Sequence, residues 1–194
     1  MRWVGRILRG NVELLRNVRS FRYPHDSDAR FAPYWIASLH LYLPSLCRLE
    51  SLGLYSVLFK SDILQTIGIF SAFRQTLSSL SLVECRTTSN ALITIINYFP
   101  LLVNLDLQAL TRKTDRVPVS QLSRPLRGRL VIADCGTNNR APFDKLSNPS
   151  PELDELILRQ VHMPIFYDCL VGVNGGSVKH LEMHSRSSER ESTS

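Results

Sequence analysis

The chain has no apolar run approaching the ~20 residues that a membrane-spanning helix needs, which excludes an integral helical membrane protein. Its four cysteines (Cys47, Cys85, Cys135 and Cys169) include no C-x-x-C pair, so neither a disulfide-dense scaffold nor a zinc ribbon fits. No Asn-x-Ser/Thr acceptor with a non-proline centre occurs, in keeping with an intracellular chain, cytoplasmic or nuclear. With ten prolines and nine glycines in 194 residues, and 44% hydrophobic residues, it is neither collagen-like nor a disordered tail. Catalytic signatures are missing as well. There is no G-x-S-x-G elbow, and Gly172–Gly176 (GVNGG) lacks the dinucleotide fingerprint and precedes a strand, so it reads as a turn. The expectation is a chain without enzymatic activity, cofactor or metal.

Charge is what the composition does show, and it is local. The net charge is +6, but residues 1–22 carry six arginines (Arg2, Arg6, Arg9, Arg16, Arg19, Arg22) against Glu13. A second basic stretch, residues 112–129, holds Arg112, Lys113, Arg116, Arg124, Arg127 and Arg129 against Asp115. The remainder is mildly acidic, so no single field covers the molecule. The Arg-rich start also has the composition of a mitochondrial presequence, but Leu14, Leu15, Val18 and Phe21 belong to the repeat that follows.

That repeat organises the chain. An apolar–x–x–apolar–x–apolar hexad recurs at Val18/Phe21/Tyr23, Leu49/Leu52/Leu54, Leu77/Leu80/Leu82 and Leu102/Leu105/Leu107. It continues at Arg127/Leu130/Ile132, Leu153/Leu156/Leu158 and Val178/Leu181/Met183. Of 21 anchors only Arg127 is not apolar, and the middle anchors are spaced 31, 28, 25, 25, 26 and 25 residues apart. The last two anchors of each unit are two residues apart, which places both on one face of a strand. One such strand cannot bury its apolar edge alone. Stacking the units makes a parallel sheet with a continuous core.

Three residues past each last anchor stand Val57, Cys85, Leu110, Cys135 and Val161. Cysteine in that slot reads as a buried structural thiol, and Cys47 and Cys169 are also expected in the core. Between strands the periodicity turns helical. Leu92, Ile95, Ile96 and Phe99 predict a helix capped by Thr88 or Ser89 and closed by Pro100. Phe59/Ile63/Ile67/Phe70 and Trp35/Ile36/Leu39/Leu43, the latter ended by Pro44, predict two more, and 165–173 a fourth. Residues 110–127 predict an irregular basic loop, and 185–194 a disordered tail beyond a repeat domain spanning 1–184.

The segments LPSLCRLESLGL, TLSSLSLVEC, FPLLVNLDLQAL and SPELDELILRQV resemble leucine-rich repeats of the ribonuclease-inhibitor-like kind. More narrowly, they resemble the repeat region of fungal F-box/leucine-rich-repeat proteins. The resemblance implies an α/β solenoid, a horseshoe with a concave parallel sheet of about seven short strands and convex helices. It also implies a protein-binding scaffold, the substrate-recognition part of an SCF-type ubiquitin-ligase receptor. An F-box, which would dock the ligase adaptor, has no room before Phe21, and the first 18 residues contain no Leu-Pro. The chain is therefore expected to be a fragment or a family member without its F-box, and adaptor binding requires an F-box upstream.

The residues flanking the anchors form the outward rows. The central row is Arg22, Gly53, Ser81, Asp106, Val131, Ile157 and Glu182. One position on stand Pro24, Tyr55, Val83, Gln108, Ala133, Arg159 and His184, and one before, Ser20, Ser51, Ser79, Asn104, Arg129, Glu155 and His180. Val83, Val131 and Ile157 are aliphatic where water is expected, the footing for a protein partner. Tyr55, Asp106, Gln108, Arg129, Glu155, Arg159 and Glu182 form its polar rim. His180, Glu182 and His184 alternate along one strand, more a solvated edge than a metal triad. The alternative function is binding of nucleic acid or an anionic surface through residues 1–22 and 112–129, although aromatic stacking residues are missing from the latter.

The proposed register makes adjacent residues behave oppositely. Leu105→Asp is expected to abolish the far-UV circular dichroism of the folded chain, because an unpaired buried charge costs several kcal/mol. Asp106→Ala is expected to leave spectrum and melting nearly unchanged, and a reversed order would overturn the register.

Overall fold

The computed structural model describes residues 15–22, 43–59, 68, 70–112, 121–134, 146, 151–160 and 178–184. The fold is α/β, built on one seven-stranded parallel sheet with few helices. Its strands are β1 (Ser20–Arg22), β2 (Ser51–Tyr55), β3 (Ser79–Val83), β5 (Asn104–Gln108), β7 (Arg127–Ala133), β8 (Glu152–Arg159) and β9 (His180–His184). They lie in chain order, β1-β2-β3-β5-β7-β8-β9. The two-residue strands β4 (Arg86–Thr87) and β6 (Thr111–Arg112) form a second parallel pair just past the exits of β3 and β5.

The register follows the hexad. Phe21, Leu52, Leu80, Leu105, Leu130, Leu156 and Leu181 are successive partners, as are Leu54, Leu82, Leu107, Ile132, Leu158 and Met183. From β2 to β8 both rows are buried in a single core. Each of these ten fully buried side chains contributes about 1.5–3 kcal/mol. At β9, the last strand of the sheet among the described residues, the rows surface, with Leu181 41% and Met183 53% exposed.

The early strands share one way in, and five strands share one way out. One carbonyl before a strand accepts two N–H groups from the next repeat: Arg19 O from Glu50 and Ser51, Glu50 O from Ser78 and Ser79, Ser78 O from Val103 and Asn104. Past the strand, Ser56, Glu84, Ala109, Asp134 and Gln160 all have φ of 48–54°, the left-handed region. The N–H of each donates to the carbonyl of the last residue of the neighbouring strand at 2.8–3.0 Å. The turn thus extends the ladder by one bond and swings the chain under the sheet. Val57, Cys85 and Leu110 follow, all buried.

Arg127, the odd anchor, is resolved one residue earlier. Leu126 is buried in its place, while Arg127 is exposed and pairs with Glu152 at 2.9 Å. Gly128 makes the offset possible. Its φ is +74°, and a Cβ there would lie 2.4 Å from the Val103 carbonyl oxygen. Beside it the register between β7 and β8 shifts by one residue.

Behind the sheet runs the α-helix α1 (Ser89–Tyr98). Thr88 caps it, its hydroxyl accepting the Ala91 N–H at 3.1 Å. Arginines from both flanks close its other end, Arg74 Nε donating to Tyr98 O at 3.2 Å and Arg124 Nη2 to Phe99 O. Cations at these carbonyls also suit the helix dipole. Phe99 stacks on Phe73 with ring centroids 6.0 Å apart, and Phe70 packs 5.7 Å away.

Several expectations change. Phe59 is not helical; its N–H donates to Arg86 O at 2.8 Å, extending the chain alongside β4. Pro44 sits within a 3-10 turn, Leu43–Ser45, while Trp35, Ile36 and Leu39 of the helix expected before it lie outside the described residues; another 3-10 turn, Ser71–Phe73, precedes β3. A proline tolerated in a first turn, where its missing N–H has no partner to lose, explains the former. Cys47 is exposed, not in the core, whereas Cys85 is buried as expected. The apolar side of that turn is filled by Leu43, Leu46 and Leu49, leaving Cys47 outward. Cys135, Cys169, the Ile165–Val173 helix, residues 113–120 of the basic loop, the Gly175-Gly176 turn and the 185–194 tail lie outside the described residues.

Gly128→Ala is expected to destabilise the chain by about 2 kcal/mol or more, since it combines a positive φ with a backbone clash. Ala109→Gly, relieving a left-handed alanine, is expected to raise stability by about 0.5–1 kcal/mol. Urea unfolding of the two variants measures both, and equal effects would refute the turn geometry.

Candidate functional site

The sheet face away from the core carries the three outward rows in register. Arg22, Gly53, Ser81, Asp106, Val131, Ile157 and Glu182 are successive partners across the seven strands. Ser20, Ser51, Ser79, Asn104, Arg129, Glu155 and His180 run parallel on one side, and Tyr55, Val83, Gln108, Ala133, Arg159 and His184 on the other.

Small side chains hollow out the first half of this face. A trough of about 220 Å³ spans β1 to β7 and is lined by Arg22, Ser51, Gly53, Tyr55, Ser79, Ser81, Asn104, Asp106, Gln108 and Arg129. Gly53 and the serines leave the floor low, and the Arg22 stem leans over it, its Cγ 3.1 Å from where a Gly53 Cβ would stand. Asp106 is held in place, accepting from Gln108 Nε2 at 3.0 Å and from Ser81 Oγ at 3.3 Å. The side chains of Arg22, Ser51, Tyr55, Ser79 and Asn104, by contrast, have no hydrogen-bond or ionic partner among the described residues.

The second half is closed by its own charges. Arg129 pairs with Glu155 at 2.6 Å, and Arg159 with Glu182 at 3.0 Å. Hydrogen bonds from Arg159, and then the His184 ring 2.7 Å away, hold the Glu182 carboxyl below the usual carboxylate range. Among the described residues no group of three His, Cys, Asp or Glu side chains is arranged to hold a metal ion.

Of the ten residues expected to bind a partner, the trough therefore unites Tyr55, Asp106, Gln108 and Arg129. Glu155, Arg159 and Glu182 lie beyond it in cross-strand pairs, and Val83 is half-buried on the Tyr55–Gln108 rung. Val131 and Ile157 are not open to water: they are 3% and 2% exposed, outside the core cluster. The runs Leu130–Ala133 and Leu156–Leu158 are unbroken apolar stretches, the pattern of strands covered on both faces. Arg22, Ser51, Gly53, Ser79, Ser81 and Asn104 were missing from the expected set. Their signal was size, since consecutive small residues at outward positions make a depression.

Three of the six cations of the basic stretch are occupied within the chain. Arg124 caps α1, Arg127 pairs with Glu152 and Arg129 with Glu155. Burial first, and the neighbouring Arg127 second, lower the pKa of Arg124. The buried Cys85 thiol is pushed up to about 12 by desolvation, and it donates to Leu54 O at 3.4 Å. It is a structural group with no nucleophilic character near neutral pH.

Among the described residues no helix is long and apolar enough to cross a membrane. Compared with family models, curated proteins and solved structures, the chain matches none.

The two described thiols should separate cleanly. Iodoacetamide at pH 8 followed by peptide mapping is expected to modify Cys47 in the native chain and Cys85 only after denaturation. Because burial raises the Cys85 pKa, its contribution to stability persists below the unfolded value near 9 and is lost as pH climbs towards about 12. Equal labelling of both native thiols would contradict this burial.

Proposed function

We propose that the chain is a non-catalytic protein-interaction module, a leucine-rich-repeat solenoid whose concave sheet receives a segment of a partner protein in the β1–β7 trough. The observation that carries this reading is the set of polar side chains lining the trough without partners in the described chain. A rigid sheet holds them at fixed separations, so little ordering cost accompanies binding. The five left-handed exit turns and the repeating hexad support the repeat architecture. The resemblance to F-box/leucine-rich-repeat proteins makes the partner a protein destined for ubiquitination and the setting cytoplasmic or nuclear. Adaptor docking in that scheme requires an F-box joined upstream. The nucleic-acid alternative is weakened because three arginines of its second basic segment already serve the fold.

The test is selection of a displayed random 12-residue peptide library on the immobilised full chain. Enriched peptides are expected to bind wild type and the back-face variant Gln75→Arg equally, and to be lost on Ser79→Arg, which fills the trough. Circular dichroism checks that both variants fold. Peptides that ignore Ser79→Arg, or no enrichment at all, would refute the reading.

A further inference from the structure

We infer that the trough selects an acidic segment of its protein partner, with an aspartate or glutamate seated on Arg22. This rests on the trough being the partner-binding surface, and it adds the chemistry of the occupant. Arg22 is exposed at the outward end of β1, and no carboxylate pairs with it among the described residues. Every other arginine on this face, Arg129 and Arg159, already holds a glutamate. Gly53 is what aims Arg22. Without a side chain there, the arginine stem lies against β2, and Arg22 lines the trough.

The neighbouring groups are of the same kind. Ser51, Ser79 and Asn104 stand on consecutive strands of one row, and Tyr55 faces the same hollow. Hydroxyls and an amide beside a guanidinium form a surface rich in N–H and O–H donors, which an acceptor-rich carboxylate satisfies. Asp106, the acid of the trough, does not cancel Arg22. Its backbone lies three strands away, about 14 Å at ~4.8 Å per strand. Its oxygens are already engaged by Ser81 and Gln108.

The test uses peptides whose binding to the full chain is lost on Ser79→Arg, made with a fluorescein label. They are expected to be enriched in Asp and Glu. Fluorescence anisotropy is expected to show at least about tenfold weaker binding when those acids become Asn and Gln, and a similar loss with Arg22→Gln. The two changes together are expected to cost little more than either alone, because each removes the same ion pair. Arg159→Gln, outside the trough, is expected to change nothing. Trough-dependent peptides that lack acids, or that bind Arg22→Gln unchanged, would overturn the acidic assignment and leave the trough as the binding surface. Displacement by an equally charged single-stranded oligonucleotide at the same concentration would also overturn it. If no peptide depends on the trough, both readings fall together.

Discussion

Register is the constraint on which the rest of this structure depends. Side chains alternate faces with a period of two, so a slip of one residue in any strand would exchange its core row for its outward row. The hydrophobic pattern sets that register along seven short strands, several of them only five residues long, and backbone devices at their ends reinforce it. A shared carbonyl takes two N–H groups where each early strand begins, and a left-handed residue adds a last rung where five strands end. None of those left-handed residues is glycine, so each carries a steric cost that the extra ladder bond helps to offset, joined after Ser56, Glu84 and Ala109 by the burial of the next residue.

Much of this was legible in the sequence, for a physical reason. The strands and their register follow from the hexad because burial acts on every repeat alike, and repetition multiplies a weak local signal into a decisive one. Helix α1 was legible for the same reason, with Thr88 in the capping role and apolar residues at helical spacing. Phe59 misled because it depends on a non-local partner, a hydrogen bond to Arg86, and Cys47 because three leucines fill the apolar side of its own turn. The Arg127 irregularity became intelligible only with Gly128 and Val103 in view, since a close approach of two backbones leaves no mark on hydropathy.

The outward face was half legible. Its rows could be written down, but which positions remain available depends on cross-strand partners. Arg129 and Arg159 look like recognition residues in the sequence, yet each finds a glutamate one strand on. Val131 and Ile157 look like an exposed footing and are buried. The deficit of side-chain volume at Ser51, Gly53, Ser79 and Ser81 is what creates the trough, and small residues draw less notice than large ones.

The two halves of the face therefore divide the work of the sheet. Exposed ion pairs such as Arg129–Glu155 contribute only about 0–1 kcal/mol each, so their main effect is not stability. They occupy donors and acceptors that would otherwise seek a partner, and they align neighbouring strands by matching opposite charges. Where such pairs are missing, from β1 to β5, the same polar chemistry is left open above a hollow floor. From β2 to β8 the core beneath is buried under both halves, so the open groups put no demand on the fold. A strand can then change its outward residues without disturbing the leucines that hold it, and this separation lets one repeated scaffold carry a specific surface.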